Sequence, residues 1–162
     1  MSRQSFRVHV TKDYLKFSAA HFIAYPGFRE ALHGHNYRVS VEVEGQLGPN
    51  GYVVDFGVVK KVARRVCARL NEKMIVPTAS DCLAVADDGS QVVLRYEQAE
   101  FRFPRTDAAL LPIVHSSAEE LARYLAGELR RELHGEGIDG VLALEVGVEE
   151  TTGQTAYYRE EA

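Results

Sequence analysis

Three histidines in two short segments are the side chains of this sequence best able to do chemistry. His33 and His35 flank Gly34 in the run His33-Gly34-His35-Asn36-Tyr37. Side chains two apart on an extended strand share a face, so both imidazoles can reach one point. A third, His21, closes Phe17-Ser18-Ala19-Ala20-His21, whose small residues suit a tightly packed strand end. A divalent metal with three or four ligands and an open position would suit that point. Gly34 permits close approach of backbone or ligand. Glu30, three residues before His33, is a carboxylate able to reach whatever the metal holds.

The elements that must position these residues are legible in the hydrophobic pattern. Alternation around Phe6-Arg7-Val8-His9-Val10 predicts a strand, with His9 a surface or packing histidine. A second extended piece leads to His21, and residues 22–32, with Pro26 and Gly27, read as a loop. Tyr37, Val39, Val41 and Val43 share one face of the next strand, while Arg38, Ser40, Glu42 and Glu44 share the other. After a turn at Gly48-Pro49-Asn50-Gly51, Asp55 caps a helix whose apolar stripe is Phe56, Val59, Ala63, Val66 and Leu70. Lys60, Lys61, Arg64 and Arg65 line its wet side, and Cys67 is packing.

Residues 78–112 read as strands and turns, with Asp87-Asp88-Gly89-Ser90 turning a hairpin. Ser117 and Glu120 make a capping box for a second helix with the apolar row Leu121, Leu125, Leu129 and Leu133, ended by Gly135 and Gly137. His134 in its last turn complements the helix dipole. In the last strand Leu142, Leu144, Val146 and Val148 alternate, and parity carries Glu150 onto their face and Glu149 onto the other. A carboxylate continuing an apolar face needs a partner. The order of elements defines an α+β fold, an antiparallel sheet with two helices on one face, and the sheet has exposed edges that pairing would cover.

Composition bounds the function. The 162 residues suit a single domain. With 46% hydrophobic and 26% charged residues, net charge −4 and no basic run, nothing points to nucleic acid or an anionic membrane surface. The opening Met1-Ser2-Arg3-Gln4-Ser5-Phe6 has no apolar leader core, and no stretch is long and apolar enough to span a bilayer. Two cysteines, Cys67 and Cys82, lack metal-ligand spacing, which fits a reducing cytoplasmic setting.

Four blocks in order, Phe17 to His21, His33 to Tyr37, Gly51-Tyr52-Val53-Val54-Asp55-Phe56 and Glu149-Glu150-Thr151, resemble the 6-pyruvoyltetrahydropterin synthase family. That family includes the 6-carboxytetrahydropterin synthases. The resemblance covers the chain except residues 78–112, which read as a β insertion within a single pterin-synthase-like domain, 1–162. It implies the tunnelling fold (T-fold), in which sheets of several subunits close a barrel and two trimers stack as a homohexamer, with sites between subunits. It also implies that His21, His33 and His35 are ligands of Zn2+, that Glu150 grips the pterin beside Thr151, and that Ser117 and Glu119 match substrate-binding residues opening the second helix.

Two departures set the expected reaction. The usual members carry a cysteine four or six residues before the first histidine of the pair; those positions are Arg29 and Gly27 here. Glu30 instead resembles the type III branch, Glu-x-x-His-Gly-His. That branch implies side-chain cleavage of 7,8-dihydroneopterin triphosphate, or of free dihydroneopterin, to 6-hydroxymethyl-7,8-dihydropterin for folate or a related coenzyme. A carboxylate can move a proton between a side-chain hydroxyl and carbon, as a retro-aldol cleavage needs, but cannot do a thiol's soft-nucleophile work. The usual Asp-His relay is replaced by Asn71 and Glu72. Glu72 is the candidate base there, and His115 the candidate for the missing imidazole. The alternatives are a 6-pyruvoyl- or 6-carboxy-tetrahydropterin synthase, or a non-catalytic pterin-binding homologue.

Overall fold

The computed structural model describes residues 4–162; residues 1–3, which begin the stretch without an apolar leader core, lie outside the described residues. In chain order the elements are β1 (Phe6–His21), the short β2 (Ala24–Tyr25) and β3 (Phe28–Arg29), β4 (His33–Gly45), α1 (Phe56–Ala68), β5 (Lys73–Pro77), β6 (Ala84–Asp87), β7 (Gln91–Tyr96) and β8 (Ala99–Pro104). A 3-10 turn (Arg105–Asp107), β9 (Ala108–Leu111), α2 (Ala118–Gly135), β10 (Val141–Thr151) and β11 (Gln154–Glu161) complete it.

The main sheet runs β11-β10-β4-β1-β5-β9. Its first four strands are antiparallel, as their alternation predicts, while β5 joins β1 in parallel and β9 joins β5 in parallel. Met74, Ile75, Val76 and Pro77 of β5 are all buried; a strand covered on both faces has no alternation to read. Helix α1 packs on β1 and β4, and α2 on β10 and β11, so both helices cover one face. Between sheet and helices lies a core that includes Phe17, Tyr37, Val41, Val59, Val66, Leu121, Leu125 and Val146.

β1 is one strand rather than two pieces. Its pairing with β4 runs from Phe6↔Gly45 to Thr11↔Ser40 and resumes at Lys16↔Arg38. The extra residues form a bulge that reverses parity, so that Val10 and then Leu15, Phe17, Ala19 and His21 are all buried. The stretch read as a loop before His33 contains the β2–β3 hairpin, turned at Gly27 with φ +87.

Asp55 caps α1 by accepting from the Gly57 N–H at 2.6 Å. Phe56 departs from the predicted stripe: it is exposed, and Val59, Val62, Ala63, Val66 and Cys67 form the buried face. The basic side is also less free than its composition implies. Lys61 and Arg65 pair with Glu136, and Arg69 pairs with Glu128 at 2.9 Å, tying α1 to α2. Half of the predicted capping box forms at α2: the Ser117 hydroxyl accepts from the Glu120 N–H, but the Glu120 carboxylate accepts from Val114 N–H rather than reaching back to Ser117. At the other end Gly137, φ +79, and Ile138 donate to the carbonyls of His134 and Leu133, a Schellman closure that needs a left-handed residue.

Residues 78–112 build a three-stranded meander, β6-β7-β8, before β9 returns to the main sheet. The meander has its own core, in which Val92, Leu94 and Tyr96 meet Phe22, Ala24, Met74 and Val76. Among the described residues no helix is long and apolar enough to cross a membrane.

Candidate metal centre

β1 and β4 place the three histidines by register. His21 stands directly opposite His33, and His35 opposite Ala19, on the face that Phe17, Tyr37 and Val39 fill further along. The site is therefore the polar end of the core face, with alternation continuing past the last apolar pair. The strands run close there: a Cβ at Gly34 would lie 3.0 Å from the Ala19 carbonyl oxygen. One ring nitrogen from each of His21, His33 and His35 lies within 4.8 Å of the others.

Hydrogen bonds behind the rings fix which nitrogen faces the centre. His21 Nδ1–H donates to the Ser116 carbonyl at 2.8 Å, and His33 Nδ1–H to the Ala31 carbonyl at 2.8 Å. A carbonyl only accepts, so Nδ1 carries the proton and Nε2 keeps its lone pair. His21 is 1% exposed, and its Nε2 makes no hydrogen bond among the described residues. Burial holds the His21 pKa below its ordinary value; the Ser116 bond and Glu150 oppose this, and His33 and His35 reinforce it. Three converging imidazoles, two of them with Nδ1 tied to a backbone carbonyl and Nε2 turned inward, are a donor set that suits a divalent cation.

Strand parity brings Glu150 to the same place. Its Oε1 lies 3.2 Å from His21 Nε2 and 3.1 Å from His35 Nε2, while Glu149 pairs with Arg38 along the β4 ladder. Tyr37, two residues past His35, is fully buried with its ring stacked on Phe17 at 4.8 Å. Its hydroxyl makes no hydrogen bond among the described residues, and burial, with the charges of Glu150 and Glu30, raises its pKa.

Glu30 is held at the edge of this site. It bridges back to Ile23, two residues past His21, donating its N–H to the Ile23 carbonyl at 2.9 Å and accepting the Ile23 N–H on Oε2 at 2.8 Å. Arg29 does not pair with the carboxylate; it donates to the Glu30 backbone carbonyl at 2.6 Å.

The remaining sequence candidates lie at varied distances from the triad. Ser117 is occupied by the helix cap, and Thr151 donates to Gln154 Oε1 at 2.7 Å in the turn between β10 and β11. Glu119 is exposed in the first turn of α2. His115 immediately precedes Ser116, half-buried, with Nδ1 buried and unpartnered. Glu72, in left-handed backbone at φ +57, lines a cavity of about 500 Å³ with Ser18, His35, Asn36, Lys73 and Asp107, so the cavity adjoins the triad. No hydrogen bond or ion pair joins Glu72 to the triad among the described residues. Asn71 and Glu72 instead clasp β1: Asn71 Oδ1 accepts from Ser18 N–H, and Glu72 N–H donates to the Ser18 carbonyl.

Sequence reasoning missed Ser116, fully buried between His21 and the Phe22 carbonyl, because nothing local signals which loop crosses the end of β1. Tyr37 was within reach of the parity argument that found His33 and His35.

The matched family is 6-pyruvoyl tetrahydropterin synthase, over residues 9–161, and the chain belongs to it. A Methanocaldococcus jannaschii protein named as a putative 6-carboxy-5,6,7,8-tetrahydropterin synthase is 34% identical, covering 90% of each chain. The crystal structure of Plasmodium vivax 6-pyruvoyl tetrahydropterin synthase superposes with a TM-score of 0.92 at 36% identity, covering 99% of this chain and 100% of that one. A second P. vivax structure, at 35% identity, TM-score 0.92 and the same coverage, is of a variant with a glutamate described as catalytic replaced by alanine. Coverage of this extent includes the β6–β8 meander.

Proposed function

We propose that the protein is a zinc-dependent lyase that cleaves the side chain of 7,8-dihydroneopterin, as triphosphate or free, to 6-hydroxymethyl-7,8-dihydropterin. The observation that carries this reading is Glu30, tethered to Ile23 between the ends of the two histidine-bearing strands, where the chain has no cysteine to offer. That a P. vivax relative named 6-pyruvoyltetrahydropterin synthase has a catalytic glutamate supports a carboxylate as the proton carrier.

His21, His33 and His35 hold the zinc, which when bound lowers the pKa of a substrate hydroxyl. Glu150 grips the pterin through a ring N–H and its exocyclic amine, and Thr151, Ser117 and Glu119 complete the substrate contacts from neighbouring turns. Glu30 takes the proton of the side-chain hydroxyl adjacent to the scissile bond. The carbon–carbon bond then breaks, its electron pair passing into the ring, and an aldehyde carrying the phosphates leaves. Protonated Glu30 returns the proton to the ring-side carbon, so no oxidant or reductant is consumed. Glu72 lines a cavity that His35 also lines, and His115 precedes Ser116, whose carbonyl holds His21, so both stand beside the triad as further proton-transfer candidates in a site that a hexamer would complete between subunits. The two free cysteines fit a reducing cytoplasm, and the product would feed folate or a related pterin coenzyme.

The names of the curated relatives favour a second reading, 6-carboxytetrahydropterin synthase. Arg29 and Gly27 at the cysteine positions count against it. Incubating the zinc-loaded protein with 7,8-dihydroneopterin triphosphate and identifying the product by mass separates the two: 6-hydroxymethyl-7,8-dihydropterin supports cleavage, a carboxy- or pyruvoyl-pterin overturns it, and no turnover with retained binding leaves a pterin-binding homologue.

A further inference from the structure

The β2–β3 hairpin that leads into Glu30 has two residues in each strand, too few to hold a shape on its own. Its tip, Tyr25 and Phe28, is exposed. What fixes it comes from the β6–β8 meander. The Arg29 guanidinium lies over the rings of Phe22, at 5.4 Å, and Phe101 of β8, at 5.0 Å. Those rings contact each other at 4.9 Å. The same guanidinium donates to the Glu30 carbonyl, and the Tyr96 hydroxyl of β7 donates to the Tyr25 carbonyl at 3.1 Å. Arginine over aromatic faces is a directional contact, so it orients the backbone it is bonded to.

We infer that the meander positions the Glu30 carboxylate, with Phe101 and Arg29 as positioning residues that act on the reaction only through Glu30. The inference rests on the cleavage reading above. The middle segment thereby gains a role in the reaction. The ring of Phe101 fixes Arg29, Arg29 fixes the Glu30 backbone, and the Ile23 bridge sets the carboxylate between the ends of β1 and β4.

The test is a set of paired substitutions in the zinc-loaded protein, with kcat, KM and zinc content measured on 7,8-dihydroneopterin triphosphate. Phe101→Leu keeps an apolar side chain and removes the ring face. It is expected to lower kcat about tenfold, a modest instance of the cost of misplacing a catalytic group, with KM and zinc unchanged, and Phe101→Tyr restores the rate. Arg29→Lys, which keeps the charge and loses the planar stack, gives the same loss should Phe101→Leu fail to fold. In a Glu30→Gln background neither substitution lowers the residual rate further. An equal fold-loss in both backgrounds, or an unchanged kcat, overturns the positioning role while leaving the cleavage reading standing. A Glu30→Gln protein with the full rate overturns both.

Discussion

His21 and His33 face each other as direct partners across the β1–β4 ladder, each with its Nδ1 tied to a backbone carbonyl behind it. The pairing turns two ordinary strand ends into a preorganised donor set, because register and tautomer are both settled before any ligand arrives.

The first prediction follows from that pair. The protein is expected to carry one zinc per chain, and His33→Ala to lose most of it by elemental analysis, since two imidazoles remain. Binding is linked to folding, so chelation lowers the thermal midpoint; metal at a hundredfold excess over its Kd contributes about 2.7 kcal/mol. Full zinc in His33→Ala rules out the triad as the metal site.

Much of this centre was readable because strands have a period of two. The shared face of His33 and His35 follows from parity, the placement of Glu150 rather than Glu149 from parity together with the Glu149-Glu150-Thr151 resemblance, and the Asp55 and Ser117 caps from local chemistry. The contacts that parity could not supply join residues distant in sequence. Ser116 meets His21, and Arg29 meets Phe101, through tertiary packing only. β5 left no alternating signature since a parallel strand inside the sheet is covered on both sides, and β9, at the sheet edge, is only four residues long. Phe56 obeyed the helical spacing yet lies exposed beside Tyr52 and Leu47, because the stripe's phase is set by what the sheet covers.

Glu150 is expected to be the pterin anchor. Glu150→Gln keeps the shape but turns a donor amide toward the pterin amine. Hydrogen bonds to charged groups contribute about 1.5–3 kcal/mol, so affinity for a dihydropterin, measured by calorimetry, should fall roughly tenfold to a hundredfold. Glu149→Gln, on the opposite face beside Arg38, should leave it unchanged. Equal losses would show that strand parity does not decide the anchor.

The two cysteines should separate by reactivity. Burial pushes the Cys67 thiol up to about 12 and seats it in the core face of α1, whereas Cys82 is only half-buried. The thiolate is the reactive form. Near pH 8 the native protein should therefore take up one equivalent of a thiol reagent, on Cys82, and a second only in denaturant. Early labelling of Cys67, read by peptide mass, would contradict the packing of α1 against the sheet.

Glu30 decides the reaction type. Two descriptions of it are compatible with its bonds: a loop carboxylate that only ties the hairpin to Ile23, or the proton carrier of the cleavage. Both use Oε2 for the Ile23 N–H, and the second also uses the remaining oxygen. Glu30→Gln separates them, since an amide can be oriented to keep its carbonyl oxygen on the Ile23 N–H while losing the ability to take a proton. The fold, the zinc and pterin affinity should persist, and kcat should fall roughly 10²–10⁴-fold, the usual share of general acid–base catalysis. A purely structural Glu30 would give the reverse pattern in Glu30→Ala, which loses the bridge: a lower thermal midpoint, with kcat recovering at temperatures where the protein stays folded. Near wild-type turnover in Glu30→Gln would move the proton-transfer role to Glu72, which shares a cavity with His35, or to His115, next to the Ser116 that holds His21.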